Sequence, residues 1–470
     1  MFTLDRSMWC QWIVVFAATI LVPSCAAQTV DGASGSFQVF AAGCYVVPDG
    51  YFDECHQALR KEWPNNRRFH VVFHGHSVPA GYFKTPTVQT FDAYPHLFHA
   101  KLAKRFPTAT IDVSVTAIGG ENSRSGAERL DDDVLALNPD VVCIDYGLND
   151  RRLGLEETEK AWRSMIERLV ANNIHVVLLT PTPDTHEDIL SADAPLAKYA
   201  ELIRRLATEY KLPLVDCYIQ FQQLAKNGAK LADLMSIPNH PNRAGHEVVA
   251  NLLFNAFEVG KKLPDRVDLS EKIKTMGLEQ RRQGARGTCS VFASMEAVEF
   301  AIATASGHSD PLSIEYANWA ANHATGRSDD GDFFMNILKG IEVYGFCSET
   351  DMPYQAEYSG PQPTVELQAE ASDGIRKFDL SVYWLSEWKQ TPGLTLQEVN
   401  RIKQALACGY PVAAGSYHSV LFVGYENDES LPGGGKFLIS DSNLVETEIH
   451  FSDAMQRFSD CFWVKAETQK

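Results

Sequence analysis

The chain from about residue 69 to residue 257 alternates between two hydrophobic patterns. Short apolar runs bounded by turn residues are typical of buried strands. Five such runs occur, at residues 69–73, 111–116, 141–146, 175–180 and 214–217. The stretches between them carry helical spacing, most clearly in a helix beginning near Leu155, where Trp162, Ile166 and Leu169 share one face. Strands that alternate with helices predict an α/β domain with a parallel sheet covered on both faces.

The pattern changes after residues 260–264, which we interpret as a linker. A helix beginning at Cys289 places Val291, Met295, Val298 and Ile302 at steps of four, three and four residues. Residues 412–416, 419–425 and 436–440 predict strands joined by glycine-rich turns. A helix followed by antiparallel strands predicts a second, α+β domain. We therefore divide the chain into a lead-in segment (28–66), an α/β domain (67–259) and an α+β domain (260–470).

Composition narrows the class of protein. The 470 residues are enough for two to four domains. Hydrophobic residues make up 45% and charged residues 22%, which excludes a disordered chain, a collagen-like repeat and a multi-span membrane protein. The net charge of −18 repels phosphate backbones, so no nucleic-acid partner is expected.

The first 27 residues resemble an export signal. Arg6 precedes an apolar run at residues 12–22, and small residues follow up to Ala27. We predict a secretory signal peptide cleaved after Ala27, and hence a secreted or cell-envelope protein. Residues 22–25 also resemble a bacterial lipobox, in which Cys25 would carry a lipid, although Pro23 fits that motif poorly. Membrane contact is expected only through such an anchor, and a buried N-terminal helix is the remaining alternative.

Export would permit disulfide bonds. Cys44 and Cys55 lie eleven residues apart in the lead-in segment and could clip a small loop before the first domain. Two free thiols are the alternative, and the sequence leaves both open.

Four local signals in the α/β domain fall at strand ends or at a helix start. Ser77, Gly120 and Asn149 each follow a predicted strand, and His240 precedes the last helix. The loops that follow parallel strands gather at one edge of the sheet, so these residues are expected to converge. A serine hydroxyl needs a base, usually histidine, to become a nucleophile, while glycine turns and an asparagine amide can stabilise an oxyanion.

With these four motifs, residues 69–258 resemble the SGNH, or GDSL-like, hydrolases. The resemblance implies a three-layer α/β/α fold and ester hydrolysis through an acyl-enzyme. Ser77 matches the nucleophile and His240 the base, while Gly120 and Asn149 match the glycine and asparagine of the family motifs. The implied substrate is an acyl or acetyl ester on a carbohydrate or a lipid.

Two departures from the family pattern bear on activity. His76 stands where the family usually has an aspartate before the serine, and Ile237 stands where it usually has an aspartate three residues before the base. The triad is thereby reduced to a dyad unless Asp233, Asp216 or a backbone carbonyl orients the imidazole. A degenerate domain that binds without catalysis is the alternative.

No metal or cofactor is expected. His74 and His76 form an HxH pair, but no cysteine or aspartate stands at ligand spacing around them. We interpret them as loop and packing histidines.

The second domain carries a cysteine at a helix start. A helix N-terminus favours the thiolate of Cys289, and a nearby imidazolium would favour it further. Gln283 lies six residues earlier, across two glycines, and can fold back as an oxyanion donor. His418 lies in a turn that leads into a strand, and Asp441 follows another strand. The alternative for Cys289 is a buried structural residue or half of a disulfide.

These residues make residues 263–467 similar to the papain-like cysteine peptidases. The resemblance implies Cys289 as nucleophile, His418 as base and Gln283 as oxyanion donor, with Asp441 in place of the usual asparagine. Ser290 and the pair at 443–444 depart from that family. We predict an exported bifunctional hydrolase that acts on a peptide or protein and on an ester-bearing carbohydrate or lipid. The alternative is a binding or scaffold protein in which the first site, or both, are degenerate.

Overall fold

The computed structural model describes residues 37–469 apart from Ala42, Gly260, Lys261, Glu279 and Ser309. The predicted signal peptide and the lipobox cysteine lie outside the described residues. The helices before residue 260 are α1 (Asp53–Leu59), α2 (Ser77–Ala80), α3 (Tyr94–Arg105), α4 (Ser123–Glu128), α5 (Leu130–Asp133), α6 (Leu155–Ala171), α7 (Pro195–Tyr210), α8 (Cys217–Lys226) and α9 (Arg243–Val259). The strands are β1 (Phe37–Phe40), β2 (Tyr45–Val46), β3 (Arg68–Gly75), β4 (Thr110–Val115), β5 (Val141–Asp145), β6 (His175–Leu179), β7 (Leu214–Val215), β8 (Met235–Ile237) and β9 (His240–Pro241).

The first sheet has six strands in the order β2-β7-β6-β5-β3-β4. All neighbouring pairs are parallel except the edge strand β2, which pairs antiparallel with β7. The five predicted strands thus form the parallel part of the sheet. The chain adds β4 on one side of β3 and β5 on the other. The loops that follow these three parallel strands therefore meet at one edge of the sheet.

Alternate strand residues enter different cores, which gives the three layers. In β3, Val71 and Phe73 belong to a core that also contains Val249 of α9. Val72, between them, belongs to a separate core that contains Trp162 of α6. The SGNH-like three-layer arrangement follows from this alternation, since a strand buried on both faces must be apolar at successive positions.

The second half forms helices and a mixed sheet. Its helices are α10 (Ser270–Thr275), α11 (Cys289–Ser306), α12 (Ile314–Thr325), α13 (Phe334–Tyr344), α14 (Val365–Ile375), α15 (Leu396–Ala407) and α16 (Phe451–Arg457). Its strands are β10 (Arg266–Asp268), β11 (Phe378–Ser386), β12 (Val412–Gly415), β13 (Val420–Asn427), β14 (Gly435–Ser440), β15 (Glu448–His450) and β16 (Asp460–Thr468). The sheet order is β1-β11-β16-β12-β13-β14-β15, with β10 also paired to β13. Apart from the parallel β1–β11 pair, the strand pairs are antiparallel.

The lead-in segment contributes a strand to each sheet. Strand β1 pairs with β11 of the second sheet, and β2 pairs with β7 of the first. The lead-in segment is therefore a structural connection between the halves, because its strands pair with an edge strand of each sheet.

One hydrophobic core extends across both halves of the chain. It contains Phe73 and Phe257 from the first half together with Val412 and Trp463 from the second. Asn255 Nδ2 also donates to the hydroxyl of Tyr383 across the same contact (2.5 Å). The domain boundary near residue 260 remains a prediction. The hydrophobic core continues across it.

Cys44 and Cys55 are both free, buried thiols, so of the two alternatives left open by the sequence the structure has the free thiols. Cys44 lies next to β2 and Cys55 lies in α1, and each packs into the large core. Burial raises the pKa of the Cys55 thiol to about 12, which makes it a poor partner for thiol oxidation.

Among the described residues, one helix, α11, is long and apolar enough to cross a membrane by length and composition. Of the residues in this helix, 61% are buried inside the protein, as in the core helix of a globular fold.

Candidate functional site

Ser77 and His240 lie in contact at the edge of the first sheet. Ser77 is the first residue of α2, immediately after β3, and His240 begins the short strand β9 before α9. His240 Nε2 is 2.7 Å from Ser77 Oγ, and both side chains are buried. Burial lowers the pKa of the His240 imidazole, so the ring stays neutral and able to accept a proton at neutral pH.

A backbone carbonyl orients the imidazole. His240 Nδ1 lies 3.1 Å from the carbonyl oxygen of Phe83, which can only accept a hydrogen bond, so Nδ1 carries the proton and Nε2 is free to face the serine. Of the three orienting groups weighed from the sequence, the carbonyl is the one in place. Asp216 caps α8 and pairs with Arg204, and Asp233 is exposed.

His76 replaces the usual aspartate as a helix cap. Its Nδ1 accepts a hydrogen bond from the backbone N–H of Val78 (3.2 Å), which an aspartate oxygen could also accept. Its Nε2 lies 3.4 Å from Oδ1 of Asp145, whose other oxygen accepts from the Tyr94 hydroxyl. The carboxylate near this helix start is thus that of Asp145, beyond the His76 ring, whereas in the family pattern it belongs to the residue directly before the serine.

The two predicted oxyanion donors lie on loops that are bonded to each other. Gly120 has a φ of +81°, a left-handed conformation that favours glycine. The Asn149 amide donates from Nδ2 to the carbonyl of the next residue, Glu121 (2.9 Å). Asp150 fixes the same loop by accepting from the backbone N–H of Ser123 (2.7 Å). A carboxamide and a glycine turn are therefore adjacent, after strands β5 and β4, which lie on either side of β3.

The second group of predicted residues is centred on Cys289, the first residue of the 18-residue helix α11. His418 Nε2 is 2.6 Å from Oδ1 of Asp441, which leaves Nδ1 to face the thiol. Hydrogen bonding to the thiol is the largest cause that raises the pKa of His418, to about 9. Burial opposes ionisation of Cys289, but the bonds from His418 and from the Ser419 backbone prevail and lower the pKa of the thiol. The two opposite shifts both favour transfer of the thiol proton to the imidazole.

A turn of backbone N–H groups surrounds Asp441. Its Oδ1 accepts from the backbone of Asn443 (2.9 Å), and its Oδ2 accepts from Val445 and Glu446 (3.0 Å each). Burial alone would raise the pKa of Asp441, but these bonds and the one from His418 lower it. The carboxylate is therefore ionised and held in one orientation.

Gln283 packs against the same turn. Its Oε1 accepts from the hydroxyl of Ser442 (2.6 Å), and its Nε2 donates one hydrogen to the carbonyl of Arg286 (2.7 Å). These two bonds hold the Gln283 amide in one orientation, and its second N–H remains able to donate a hydrogen bond. The structure brings Gln283, Cys289, His418 and Asp441 into one connected region.

The histidines of the HxH pair have hydrogen-bond partners in the protein. His74 Nδ1 lies 2.9 Å from the Thr116 hydroxyl, and its Nε2 lies 3.0 Å from the carbonyl of Gly126. Burial lowers the pKa of His74 to about 4. Among the described residues, no group of three or more histidine, cysteine, aspartate or glutamate side chains could hold a metal ion.

Sequence reasoning missed the groups that act through their backbone or through their position. The carbonyl of Phe83 carries no side-chain signal. Asp145 and Ser442 support His76 and Gln283 from segments remote in sequence, and no spacing rule identifies them. The Asn-Asp pair at 149–150 was a detectable signal for the loop anchor Asp150.

Comparisons with known proteins concern the first half of the chain. Residues 73–248 match the sequence profile described as "GDSL-like Lipase/Acylhydrolase family". An acetylxylan esterase from Geobacillus stearothermophilus is 26% identical over 157 residues, which cover 31% of this chain and 71% of that protein.

Two solved structures are similar to part of the chain. An acetyl xylan esterase, AlAXEase, is 25% identical, with 40% of this chain and 99% of that chain covered and a TM-score of 0.35. A two-domain esterase active on acetylated mannans, co-crystallised with mannopentaose, is 20% identical, with 44% and 52% covered and a TM-score of 0.36. The papain-like similarity of the second half remains a prediction. Residues 73–248, somewhat more than a third of the chain, are thus similar to the GDSL-like hydrolases.

Proposed function

We propose that the first half hydrolyses an acetyl ester on a carbohydrate, with Ser77 as nucleophile and His240 as base. The observation that carries the proposal is the 2.7 Å contact between Ser77 Oγ and an Nε2 left unprotonated by the Phe83 carbonyl. The substrate class is suggested by the acetylxylan esterase that matches this region.

The reaction begins when Ser77 Oγ attacks the ester carbonyl and His240 Nε2 takes the hydroxyl proton. The tetrahedral intermediate carries a negative oxygen, for which the backbone N–H of Gly120 and the Asn149 amide are the donors. Collapse of the intermediate breaks the bond to the sugar oxygen, which leaves with the proton from His240. Water, deprotonated by the same imidazole, then releases acetate and regenerates Ser77.

The experiment is acetate release from acetylated xylo-oligosaccharides by the wild type and by Ser77→Ala. Loss of one triad-type residue typically reduces turnover by at least about a thousandfold. Ser430→Ala, in an exposed turn of the second half, is the matched control and should retain activity. Failure of the folded wild type to hydrolyse acetyl esters, together with failure of a fluorophosphonate probe to label Ser77, would support the degenerate binding domain instead.

We propose as a second function that Cys289 cleaves peptide bonds. The specific observation is the hydrogen-bonded series Cys289–His418–Asp441 at the start of α11. The thiolate attacks the amide carbonyl, and the His418 imidazolium gives its proton to the leaving amine. The resulting thioester is then hydrolysed by water, with His418 as base. Gln283 can stabilise the oxyanion with its remaining N–H.

The two functions are tested separately by Cys289→Ala. This change should abolish peptidase activity and thiol labelling by an epoxide probe while esterase activity stays intact, because each site has its own nucleophile and base. Loss of both activities in folded protein would contradict two independent sites. Cys289 should also be alkylated by iodoacetamide at a lower pH than an ordinary thiol, whereas burial raises the pKa of Cys347 to about 12.

We further propose that the protein is exported and that its signal is removed after Ala27. Support comes from the charged start, the apolar run at 12–22 and the small residues that follow it. N-terminal sequencing of the mature protein should begin at Gln28, and a lipidated Cys25 at the mature N-terminus would indicate the anchored form.

A further inference from the structure

A pocket of about 460 Å³ lies beside Cys289. Its wall is built from the start of α11, the loop that precedes α13, residues 388–392, the turn after β12, and the start of β16. Of the four residues of the Cys289 site, Cys289 itself lines the pocket. The chemistry of the rest of the wall is set by its charged and aromatic side chains.

All but one of the charged side chains on this wall form ion pairs with other side chains of the protein. The paired ones are Arg327 with Asp332, Asp330 with Arg286, and Lys389 with Glu398. The exception is Asp460, the first residue of β16. Its Oδ1 accepts from the hydroxyl of Ser459 (3.0 Å), and within the described residues no cation lies within ion-pair distance of it. A carboxylate that is only 5% exposed is costly to ionise without a counter-ion. Burial accordingly raises the pKa of Asp460 to about 6.

The fold keeps space for this carboxylate. Gly415 lies opposite Asp460 in the β12–β16 register. A Cβ placed on Gly415 would overlap the Asp460 carboxylate and press against the ring of Phe334. Gly415 does not have a left-handed backbone, so space rather than conformation explains the glycine at this position. The carboxylate therefore lines the pocket opposite Gly415, which lies three residues before His418 in the sequence.

Two aromatic rings at the mouth of the pocket add to this chemistry. Phe333 and Trp388 both line it and remain 52% and 49% exposed. Their rings meet edge to face, with centroids 5.5 Å apart. Exposed aromatic faces attract cations through the ring quadrupole, and a guanidinium or an ammonium on an alkyl stem also buries apolar area against them.

We propose that this pocket binds a lysine or arginine side chain of the substrate, with Asp460 as its counter-ion and with Phe333 and Trp388 packing against its alkyl stem. Asp460 is thus the residue that determines specificity at the Cys289 site. The proposal rests on the proposed thiol chemistry for its kinetic consequence, but binding of the cation requires no bond cleavage.

The kinetic test uses fluorogenic tetrapeptide amides in which each position in turn is arginine, lysine or norleucine. At one position, the wild type should prefer the basic residues over norleucine by at least about tenfold in kcat/KM, the effect of one desolvated ion pair. Asp460→Asn, which keeps the shape of the side chain, should reduce that ratio toward one. Asp373→Asn is the matched control, since Asp373 is exposed, pairs with Arg376 outside the pocket, and should keep the ratio. Equal use of arginine and norleucine by the wild type, or an unchanged ratio in Asp460→Asn, would overturn the proposal.

A second measurement separates this proposal from the peptidase function. Nα-acetyl-arginine amide should slow alkylation of Cys289 by iodoacetamide more than Nα-acetyl-norleucine amide does, and the difference should vanish in Asp460→Asn. This result would support the cation site even if no peptide were cleaved. Cleavage of peptides without any difference in protection would retain the peptidase function and reject the cation site.

Discussion

The imidazole of His240 donates from Nδ1 to the carbonyl oxygen of Phe83 at 3.1 Å, where a triad enzyme would place a carboxylate. The carbonyl fixes the same tautomer as a carboxylate would, so Nε2 faces Ser77 with its lone pair. It carries no full charge, however, and stabilises the imidazolium formed during attack less well. The geometry is that of a dyad whose base is oriented but weakly supported.

The first prediction concerns the pH dependence of the esterase. The base must be neutral to accept a proton, and burial lowers the pKa of His240 below its usual 6.5. Activity should therefore rise with pH along an acid limb whose midpoint lies below pH 6.5. The measurement is kcat/KM for 4-nitrophenyl acetate between pH 4 and pH 8. A midpoint at or above pH 6.5 would contradict a buried base without a carboxylate partner.

The second prediction concerns Ile237, which lies opposite His240 in the β8–β9 pair and is half-buried. In Ile237→Asp a carboxylate near the ring should stabilise the imidazolium, raise the pKa of His240 and shift the acid limb upward by about one pH unit. Turnover above that limb should rise by up to about tenfold.

Ile237→Asn is the matched control for this change, because it has the same shape as the aspartate without the charge. It should shift neither the limb nor the turnover. An aspartate variant that behaves like the asparagine variant would show that the Phe83 carbonyl retains Nδ1 and that the added charge does not reach the imidazole.

The sequence predicts the positions of Ser77 and His240 because each is tied to the end of a regular element. A serine that follows a strand of a parallel sheet must lie at the sheet edge, and the turn before the last helix returns to that edge. The sequence does not predict what orients His240, since every backbone segment offers a carbonyl. The two aspartates that were candidates are used or exposed elsewhere, Asp216 as a helix cap and ion pair and Asp233 at the surface.

The shared core was equally hidden in the sequence. Four successive residues of β16, 461–464, are apolar, which predicts burial on both faces. Phe462 and Val464 face the core beneath α11, whereas Cys461 and Trp463 face the core that includes α9 of the first half. The apolar pattern shows that both faces of β16 are buried, but it does not show that one face packs against residues of the first half.

The third prediction concerns Asp441, which stands where papain-like enzymes usually have asparagine. Three backbone N–H groups and His418 donate to its two oxygens. In Asp441→Asn an NH₂ group would replace one of those oxygens and face donors. We expect the free energy of unfolding to fall by about 1–3 kcal/mol. The pKa of His418 should fall from about 9, and alkylation of Cys289 at pH 6 should slow.

Urea unfolding and iodoacetamide kinetics measure these two effects. Asp453→Asn, an exposed aspartate at the start of α16, is the control and should change neither. An Asp441→Asn variant with wild-type stability and wild-type alkylation would mean that an asparagine fits this turn as well as the aspartate, contrary to the N–H groups that point into it.

The last prediction concerns a buried carboxyl group in helix α11. Oε1 of Glu296 is closed to solvent and has no hydrogen-bond partner among the described residues, and its Oε2 accepts from Ser440 at 3.4 Å. Burial, reinforced by Glu299 one turn away, raises the pKa of Glu296 to about 8. The folded protein therefore keeps the proton between about pH 4.5 and pH 8, whereas the unfolded chain has already lost it.

Because the folded state binds more protons over this range, the free energy of unfolding must fall as the pH rises from 4.5 to 8. Glu296→Gln stays neutral at every pH. It should be within about 1 kcal/mol of wild type at pH 5 and more stable than wild type at pH 9, by up to about 5 kcal/mol. The measurement is urea unfolding at both values of pH, with the exposed Glu54→Gln as control. A variant that differs from wild type by the same amount at pH 5 and pH 9 would show that Glu296 is ionised in the folded protein, and would require a cation or a water to reach Oε1.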